Sequence, residues 1–418
     1  MTTDAPSITE STTVTATTAS TTAAPDALAV PAAQARCPFD PPPAYQEAHL
    51  VSPVTRVTLW DDTPCWLLTG YQQSRAVLAD RRFSADARKP GFPFLFPGRR
   101  DLVIRSTPTF LRLDDPEHAR QRRMLTGDFI IKRVEALRPQ IQQIVDEALD
   151  RMIAKGGPAD LVAEFALPVP SLVICLLLGV PYADHEFFQA NSRVLLDTGA
   201  DTEQVAAAQD ALTSYLADLA DRKRREPDDG VLSRLVARDE LTHAEAAAMG
   251  LLLLVAGHET TANMTALGTL ALLQNPQQLE LLRAEPELMK GAVEELLRYL
   301  TIVHLGIPRV AVEDVDLDGT LIRAGEGVLA MPSTANRDPE LFDGGDELDV
   351  TRDARRHLAF GFGIHQCLGQ PLARAELQIA LGTLLRRLPG LRLAVPFEEV
   401  ETRADSVVRG LRTLPVTW

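Results

Sequence analysis

Apolar residues recur mostly three and four positions apart along this chain, which is the spacing of helices with one buried face. The pattern predicts helical regions, separated by short breaks at Pro or Gly, over residues 117–155, 184–225, 241–273 and 287–300. The third region opens with Thr242 and Glu245, the residue types and spacing of a helix-capping box. The protein is therefore expected to be mainly α-helical.

Strands are predicted in fewer places, where β-branched and aromatic residues alternate with polar ones. Residues 54–59 and 65–69 predict a small sheet near the N-terminus, and residues 310–331 alternate around the turn Asp318-Gly319. Residues 351–365 are rich in arginine and show no regular period, so we expect an irregular meander there.

The segment 85–110 combines several prolines and glycines with Phe92, Phe94, Leu95 and Phe96. Two interpretations are open. Exposed aromatic residues on a loop would form a flexible apolar lid. Alternatively, the phenylalanines fix an ordinary loop to the core.

Composition bounds the class of protein. The 418 residues, 45% of them hydrophobic, suffice for one large domain, which we expect over 37–418, after a disordered tail, 1–36, rich in Thr, Ala and Ser. A formal net charge of −15 argues against nucleic acid as a partner. The apolar stretches 168–180 and 251–256 are too short or too interrupted to predict membrane insertion. Four cysteines without paired spacing, and no secretory signal, favour the cytoplasm.

The strongest chemical signal is the run FGFGIHQCLG at 360–369. Its three glycines permit tight turns and a close approach of backbone to a large flat ligand. Cys367 lies where a helical pattern begins, and helix N-terminal amides lower the pKa of a thiol, so we expect a thiolate that can bind iron. The alternative is that Cys367 is a small buried hydrophobe, as free cysteines usually are. The fixed spacing of six residue types argues against that alternative.

A second signal is the run AGHETT at 256–261, in the middle of the third helical region. Gly257 weakens a helix by roughly 1 kcal/mol relative to Ala. The hydroxyl of Thr260 can bond the carbonyl of Ala256, which opens room for a ligand as small as dioxygen. Taken alone, a helix kink with a satisfied threonine explains this run equally well.

Together, and in this order, the two runs resemble the cytochromes P450. Run 360–369 is similar to the haem-binding loop of that family, and Glu259 and Thr260 match its acid–alcohol pair, with glutamate in place of the aspartate of some relatives. The resemblance covers the chain after Pro38. It implies a triangular, helix-rich prism, mainly α with a small β-rich region. Haem b would lie between a long central helix and the helix after the cysteine loop, ligated by the thiolate of Cys367.

The resemblance also implies roles for other residues. Glu259 and Thr260 would deliver protons to O2, the co-substrate. Further haem contacts would come from Ala256, Gly257, Phe360, Gly361 and Gly369. The propionates would bind His118, Arg122, Arg309 and His365, although His118 alone could also be a solvated surface residue. Glu295, Arg298 and Arg352 would form a buried structural group that holds the cysteine loop. The substrate pocket would include Phe92, Phe94, Leu95, Ile302, Val303 and His304.

The runs ALPVP at 166–170 and VPY at 180–182 look like those of actinomycete members that oxidise secondary metabolites, secosteroids and foreign compounds. This implies a monomeric monooxygenase that hydroxylates a bulky apolar molecule such as a polyketide lactone, macrolide, secosteroid or terpenoid. Electrons would come from NAD(P)H through ferredoxin reductase and ferredoxin. A local basic patch for this acidic carrier is expected at Arg120, Arg123, Arg355 and Arg356.

Three other classes are weighed against this. A peroxide-driven haem peroxygenase would share Cys367, but such family members usually lack the acid–alcohol pair. A non-catalytic haem sensor or carrier would not need that pair. A helical binding protein without haem would leave the conjunction of motifs unexplained.

Overall fold

Helices make up most of the chain in a computed structural model, which describes residues 1–2, 28–32, 35, 37–238 and 240–418. The α-helices are α1 Pro43–Val51, α2 Tyr71–Ala79, α3 Arg99–Arg105, α4 Glu117–Thr126, α5 Ile131–Lys155, α6 Pro168–Leu178, α7 His185–Leu196, α8 Thr202–Arg225, α9 Val231–Val236, α10 His243–Gln274, α11 Pro276–Ala284, α12 Met289–Leu300, α13 Pro332–Ala335 and α14 Gln370–Arg387. The fold is mainly α, as the hydrophobic pattern predicts.

Helix α10 is the centre of the packing. It begins with the predicted capping box, in which the side chains of Thr242 and Glu245 each bond the backbone N–H of the other. Apolar residues cover almost its whole circumference, which is the pattern of a helix buried on all sides. It packs against α6, α8, α12 and α14, so it runs through the middle of the helical region.

The strands are β1 Ala29–Val30, β2 Val54–Leu59, β3 Pro64–Leu68, β4 Phe83–Ser84, β5 Ala159–Asp160, β6 Ile307–Ala311, β7 Val315–Leu317, β8 Thr320–Ile322, β9 Gly327–Ala330, β10 Arg392–Leu393 and β11 Pro415–Thr417. The main sheet has the order β1-β2-β3-β9-β6-β4. Its central pair is parallel, with Cys65 opposite Gly327 and Leu68 opposite Ala330. This register joins the start of the domain to the segment after α12.

The predicted strands are confirmed, including the hairpin of β7 and β8 around Asp318-Gly319. Two predicted helical regions are each split. Residues 117–155 form α4 and α5 because Gly127 and Asp128 turn the chain, and residues 184–225 form α7 and α8 because the chain breaks after Leu196 and Asp201 caps a new helix. The meander at 351–365 contains no α-helix or strand.

The prediction of a disordered tail over 1–36 is wrong at Ala29–Val30. These residues pair in parallel with Thr58 and Leu59 of β2. Val30 is buried, because it packs in a small apolar cluster with β2 and β3. Residues 3–27, 33–34 and 36 of the predicted tail lie outside the described residues.

In the described part of the chain, no helix combines the length and apolar character that a membrane crossing requires.

A buried charge group joins α12 to the meander that precedes the cysteine loop. The carboxylate of Glu295 accepts from Nε and Nη2 of Arg298, one helical turn along α12, at 2.7 and 2.8 Å. Nε of Arg352, from the meander, lies 3.3 Å from the same carboxylate. Neither Glu295 nor Arg298 is exposed to solvent. The guanidinium of Arg298 also donates to the carbonyls of Asn336 and Gly345. The structure therefore brings the three predicted residues together.

Replacing Arg298 by Met should lower the free energy of unfolding by about 3–5 kcal/mol, because Glu295 would be left buried without its partner. The measurement is a urea titration followed by circular dichroism. Arg224→Met is the matched control, since Arg224 lies 3.7 Å from Asp221 at the same spacing on the surface of α8. The free energy of unfolding of Arg224→Met should stay within about 1 kcal/mol of the wild-type value. Equal losses in the two variants would contradict a special contribution from the buried group.

Candidate active site

A cavity of about 680 Å³ lies between α10 and the cysteine loop. Its wall includes residues of α10, of the cysteine loop and of the first turns of α14. Other parts of the wall come from the loop containing Phe92–Phe96, the link after α12, the segment carrying Val407 and Val408, and residues of α3, α4, α6 and α7. Most side chains facing the cavity are apolar, and its charged side chains are mainly arginines.

The cysteine loop places Cys367 in the cavity wall. Gly361 and Gly363 adopt φ of 68° and 73°, values that favour glycine, and the amide of Cys367 donates to the carbonyl of Phe360 at 2.9 Å. The Cys367 side chain is exposed to the cavity, although protein surrounds it on its other sides. Its sulfur is thus presented to the interior of the protein.

The predicted thiolate does not follow from the protein alone. Burial raises the pKa of the Cys367 thiol, while the backbone N–H groups of Gly369 and Gln370 and the charges of Arg122 and Arg374 act in the opposite direction. Burial is the larger effect, so the helix N-terminus is insufficient. A bound metal cation would supply the missing stabilisation of the thiolate.

The wall formed by α10 carries Ala256, Gly257 and Thr260. The Thr260 hydroxyl donates to the carbonyl of Ala256 at 2.7 Å, as the sequence predicts. The helix stays α-helical through this run, because α10 is continuous over His243–Gln274. A Cβ on Gly257 would lie 2.6 Å from Cδ1 of Ile174, so glycine lets α10 lie close to α6.

Glu259 is not among the residues that line the cavity. Its side chain is 2% exposed and is held by Arg403, whose Nη1 donates to Oε2 at 2.9 Å. The structure therefore separates the predicted pair: Thr260 lies in the cavity wall and Glu259 points into the protein interior.

A group of cationic residues lies at one end of the cavity. Arg122, Arg309 and His365 line it, and the ring of His118 lies 4.4 Å from that of His365. Nε2 of His118 and Nδ1 of His365 are buried without hydrogen-bond partners among the described residues. His118 is 3% exposed, so it is not a solvated surface histidine.

The electrostatics of this end favour a bound anion. Burial lowers the pKa of Arg309 to about 10, and the nearby charge of Arg112 contributes. Burial, followed by the charge of Arg309, lowers the pKa of His365 to about 3. The positive forms of these groups are thus destabilised by desolvation and by one another. Carboxylates placed among them would relieve both effects.

Arg112 belongs to this group, and the sequence analysis missed it. It lines the cavity, and burial lowers its pKa to about 10. A signal was present, since Arg112 is the one charged residue in the run FLRL at 110–113, just before two aspartates. Glu376 of α14 was also missed. It lines the cavity, and burial raises the pKa of its carboxyl well above the ordinary value.

The predicted pocket residues are largely found in the cavity wall. Phe92, Phe94, Leu95, Ile302 and Val303 line it. His304 does not, which corrects the prediction. Its Nε2 donates to the carbonyl of Ser406 at 3.0 Å, so the ring is buried behind the wall.

The loop 85–110 matches neither interpretation fully. Its aromatic residues are not exposed as a lid of free side chains would require. Phe92 is 7% exposed and packs on Ala87 and Val310, and its ring lies 5.3 Å from that of Phe94. The phenylalanines thus fix the loop to the core and form cavity wall at the same time.

Comparison with known proteins decides the family. The model of the family described as Cytochrome P450 matches residues 52–391. The chain is 66% identical to Cytochrome P450-SU2 of Streptomyces griseolus over 397 residues, covering 95% of this chain and 98% of that protein. The chain belongs to the cytochrome P450 family. It is also 53% identical to the pentalenic acid synthase of Streptomyces avermitilis, covering 91% of this chain and 95% of the relative.

Solved P450 structures confirm the fold. The crystal structure of CYP105P1 in complex with filipin I aligns with a TM-score of 0.88 at 43% identity, covering 94% of this chain and 99% of that one. The chain is a cytochrome P450 monooxygenase, and the family implies a haem–thiolate cofactor and the use of O2.

The residues at the cavity fit a haem. Cys367 presents its sulfur to the cavity, and the cationic end offers unpartnered nitrogens of His118 and His365 for carboxylates. Gly369 leaves space on the same wall, because a Cβ built there would meet no atom within 4 Å. The group would be enclosed between α10 and the cysteine loop.

Substitutions by alanine at two glycines of the cysteine loop should have different effects, one on folding of the loop and the other on haem binding. Gly363→Ala should prevent the loop from forming, because the new Cβ would lie 2.2 Å from the carbonyl oxygen of Leu78 at a φ of 73°. Gly369→Ala should leave the unfolding midpoint of the haem-free protein unchanged, because its φ is −79° and its Cβ meets no protein atom. It should instead lower the ratio of haem absorbance to protein absorbance. Full haem content in Gly369→Ala would contradict the placement of haem against this wall.

Proposed function

We propose that this P450 inserts one oxygen atom of O2 into a C–H bond of a bulky apolar small molecule. One observation carries the proposal: a mostly apolar cavity of about 680 Å³ is lined by both Cys367 and Thr260. A substrate in that cavity would be held by hydrophobic burial close to the site of oxygen activation.

In this proposal the sulfur of Cys367 would hold the iron of haem b, and the surfaces in contact with the haem would be formed by Ala256, Gly257, Phe360, Gly361 and Gly369. The propionates would be held by His118, Arg112, Arg122, Arg309 and His365. Bound haem with a thiolate ligand supplies the activation of O2.

Thr260 and Glu259 act on protons. The Thr260 hydroxyl, now donating to the Ala256 carbonyl, turns towards O2 in the cavity and donates a hydrogen bond there. Glu259 lies one residue away but outside the cavity wall. After its side chain moves away from Arg403, its carboxylate would accept a proton from solvent water and pass that proton to Thr260. Glu295, Arg298 and Arg352 hold the cysteine loop in place.

The wall composition supports a substrate with little charge. Phe92, Phe94, Leu95, Ile302 and Val303 face the cavity together with further apolar side chains of the link and of 407–408. Polyketide lactones, macrolides, secosteroids and terpenoids share the required size and apolar character. Two similar proteins described above support a search among such natural products: the pentalenic acid synthase, and CYP105P1, whose structure was solved in complex with filipin I.

We also propose that the electrons arrive from NAD(P)H through ferredoxin reductase and an acidic ferredoxin at the face behind the cysteine loop. Of the predicted patch, Arg123 and Arg356 are exposed and form no ion pair with any residue that the structure describes. Arg120, in contrast, pairs with Glu117 and Glu245, and Arg355 pairs with Asp353. Exposed Arg75, which lies 4.6 Å from the ring centroid of Phe362 in the loop, adds to this patch. The free positive charges favour an acidic partner.

The proposal is tested by a spin-state screen followed by turnover. A library of lactones, secosteroids and terpenoids is titrated into the haem protein, and compounds that shift the Soret band are incubated with ferredoxin, reductase and NADPH under ¹⁸O2. We expect a product that carries one ¹⁸O atom, and slower turnover at high salt because the partner contact is electrostatic. Product with oxygen from water, or product only when peroxide is added, would contradict the proposed reaction.

Thr260→Ala should separate electron use from product formation. The variant should bind haem and shift spin state like the wild type, because Thr260 makes only a local bond to Ala256. Product per NADPH should fall by roughly 10-fold or more, the scale of general acid–base contributions, with hydrogen peroxide rising in compensation. Thr261→Ala, one position along the same wall, is the control. Wild-type coupling in Thr260→Ala would exclude it from proton delivery.

A further inference from the structure

The segment 402–411, called here the C-terminal hairpin, crosses the cavity wall and reaches α10. Thr402 bridges to Leu411, and the amide of Arg403 donates to the carbonyl of Gly410 at 2.9 Å. These contacts close the hairpin beside its two ends, so Arg403 and Gly410 lie next to each other.

Both residues contact α10 at consecutive turns. Nη1 of Arg403 lies 2.9 Å from Oε2 of Glu259. A Cβ on Gly410 would lie 1.8 Å from Oδ1 of Asn263, whose Nδ2 donates to the backbone carbonyl of Glu259 at 2.7 Å. Absence of a side chain at Gly410 therefore allows the approach that brings Arg403 to Glu259.

Arg403 dominates the surroundings of the Glu259 carboxylate. Among the described residues it is the one hydrogen-bond donor to that group. His258 is the other close neighbour, with Nε2 3.9 Å from Oε1. The Nδ1 of His258 donates to the carbonyl of Leu254 at 2.7 Å, so in the neutral ring Nε2 carries a lone pair and donates nothing.

The tip of the hairpin belongs to the cavity wall. Val407 and Val408 line the cavity. The amide of Val407 donates to the carbonyl of Leu196 at the end of α7, and the amide of Arg409 donates to that of Ile302 in the link after α12, at 2.9 and 2.8 Å. A molecule that presses on this wall therefore presses on the same short hairpin that carries Arg403.

We propose that Arg403 is a positioning residue that holds Glu259 away from the cavity. We propose further that the C-terminal hairpin makes the ion pair between Arg403 and Glu259 sensitive to whether substrate occupies the cavity. The inference rests on the proposed role of Glu259 in proton delivery. A buried carboxylate does not leave its only donor without cost, so Glu259 stays with Arg403 until the hairpin shifts. Substrate in contact with Val407 and Val408 supplies that shift, and the acid becomes available when there is a substrate to oxidise.

The test compares Arg403→Gln with the control Arg412→Gln, a substitution in the segment that directly follows the hairpin. Arg412 pairs with Asp405 on the surface, with both side chains about half exposed. Without substrate, Arg403→Gln should raise NADPH oxidation in the presence of ferredoxin and reductase by at least about threefold, because Glu259 is no longer held away from the cavity, and Arg403→Lys should restore most of the wild-type rate. Arg412→Gln should behave like the wild type.

A double-mutant cycle identifies the residue through which Arg403 acts. Without substrate, Glu259→Gln should oxidise NADPH no faster than the wild type, and Arg403→Gln/Glu259→Gln should match Glu259→Gln alone, because Arg403 then has no carboxylate to position. A faster rate that persists in the double variant would overturn the inference, since the change would not act through Glu259. A wild-type rate of NADPH oxidation in substrate-free Arg403→Gln would overturn it as well. If the wild type itself yields no product, the proposed function fails instead.

Hydrogen exchange gives a readout that does not depend on turnover. A bulky aryl-imidazole is added to the haem protein, and exchange is followed in peptides covering 402–411 and 256–263. In all three proteins the compound should slow exchange in 402–411. In 256–263 it should slow exchange more in Arg403→Gln than in the wild type and Arg412→Gln, because direct contact with α10 is then not offset by release of Glu259 from Arg403. Equal slowing of 256–263 in all three proteins would contradict the link between the cavity wall and Glu259.

Discussion

One buried guanidinium ties together the segments on which the cysteine loop depends. Arg298 binds Glu295 and also donates to the carbonyls of Asn336 and Gly345. The side chain of Asn336 in turn accepts from the amide of Leu358 at 2.7 Å, and the carbonyl of Leu358 accepts from the amide of Gly361. A short series of hydrogen bonds thus runs from the ion pair in α12 to the loop that presents Cys367. The pair is enclosed by protein, where each bond is costly to leave unmade.

The charge around the cavity is opposite in sign to the net charge of the chain. The chain carries a net charge of −15, yet the cavity has arginines and histidines at one end and few opposing carboxylates. Desolvation works against these cations and also against a thiolate at Cys367. The protein alone therefore holds both sets of groups in an electrostatically unfavourable arrangement. A ligand with a cationic metal and peripheral carboxylates relieves both, which explains how one cofactor can satisfy both sets of groups in the same cavity.

The sequence predicts this fold and site well where the information is local. The runs at 360–369 and 256–261, and the spacing of Glu295 and Arg298, each specify a loop or one helix face. Prediction fails where a role depends on contacts far apart in the chain. Arg403 is paired with Glu259, more than a hundred positions away, and nothing near it in the sequence indicates this. His304 follows Val303 in the cavity wall but turns to Ser406 instead, and Val30 is buried by a strand that it meets only in the folded protein.

The central claim is that the sulfur of Cys367 binds the haem iron. The most direct test is the spectrum of the dithionite-reduced, carbon-monoxide-treated protein, recorded for the wild type, Cys367→Ser and Cys175→Ser. Cys175 is a buried cysteine on α6 beside the wall residue Ile174, which makes it a fair control. The wild type and Cys175→Ser should both show the red-shifted Soret band of thiolate-ligated haem, and Cys367→Ser should lack it. Persistence of that band in Cys367→Ser, or its absence from the wild type, would contradict the account.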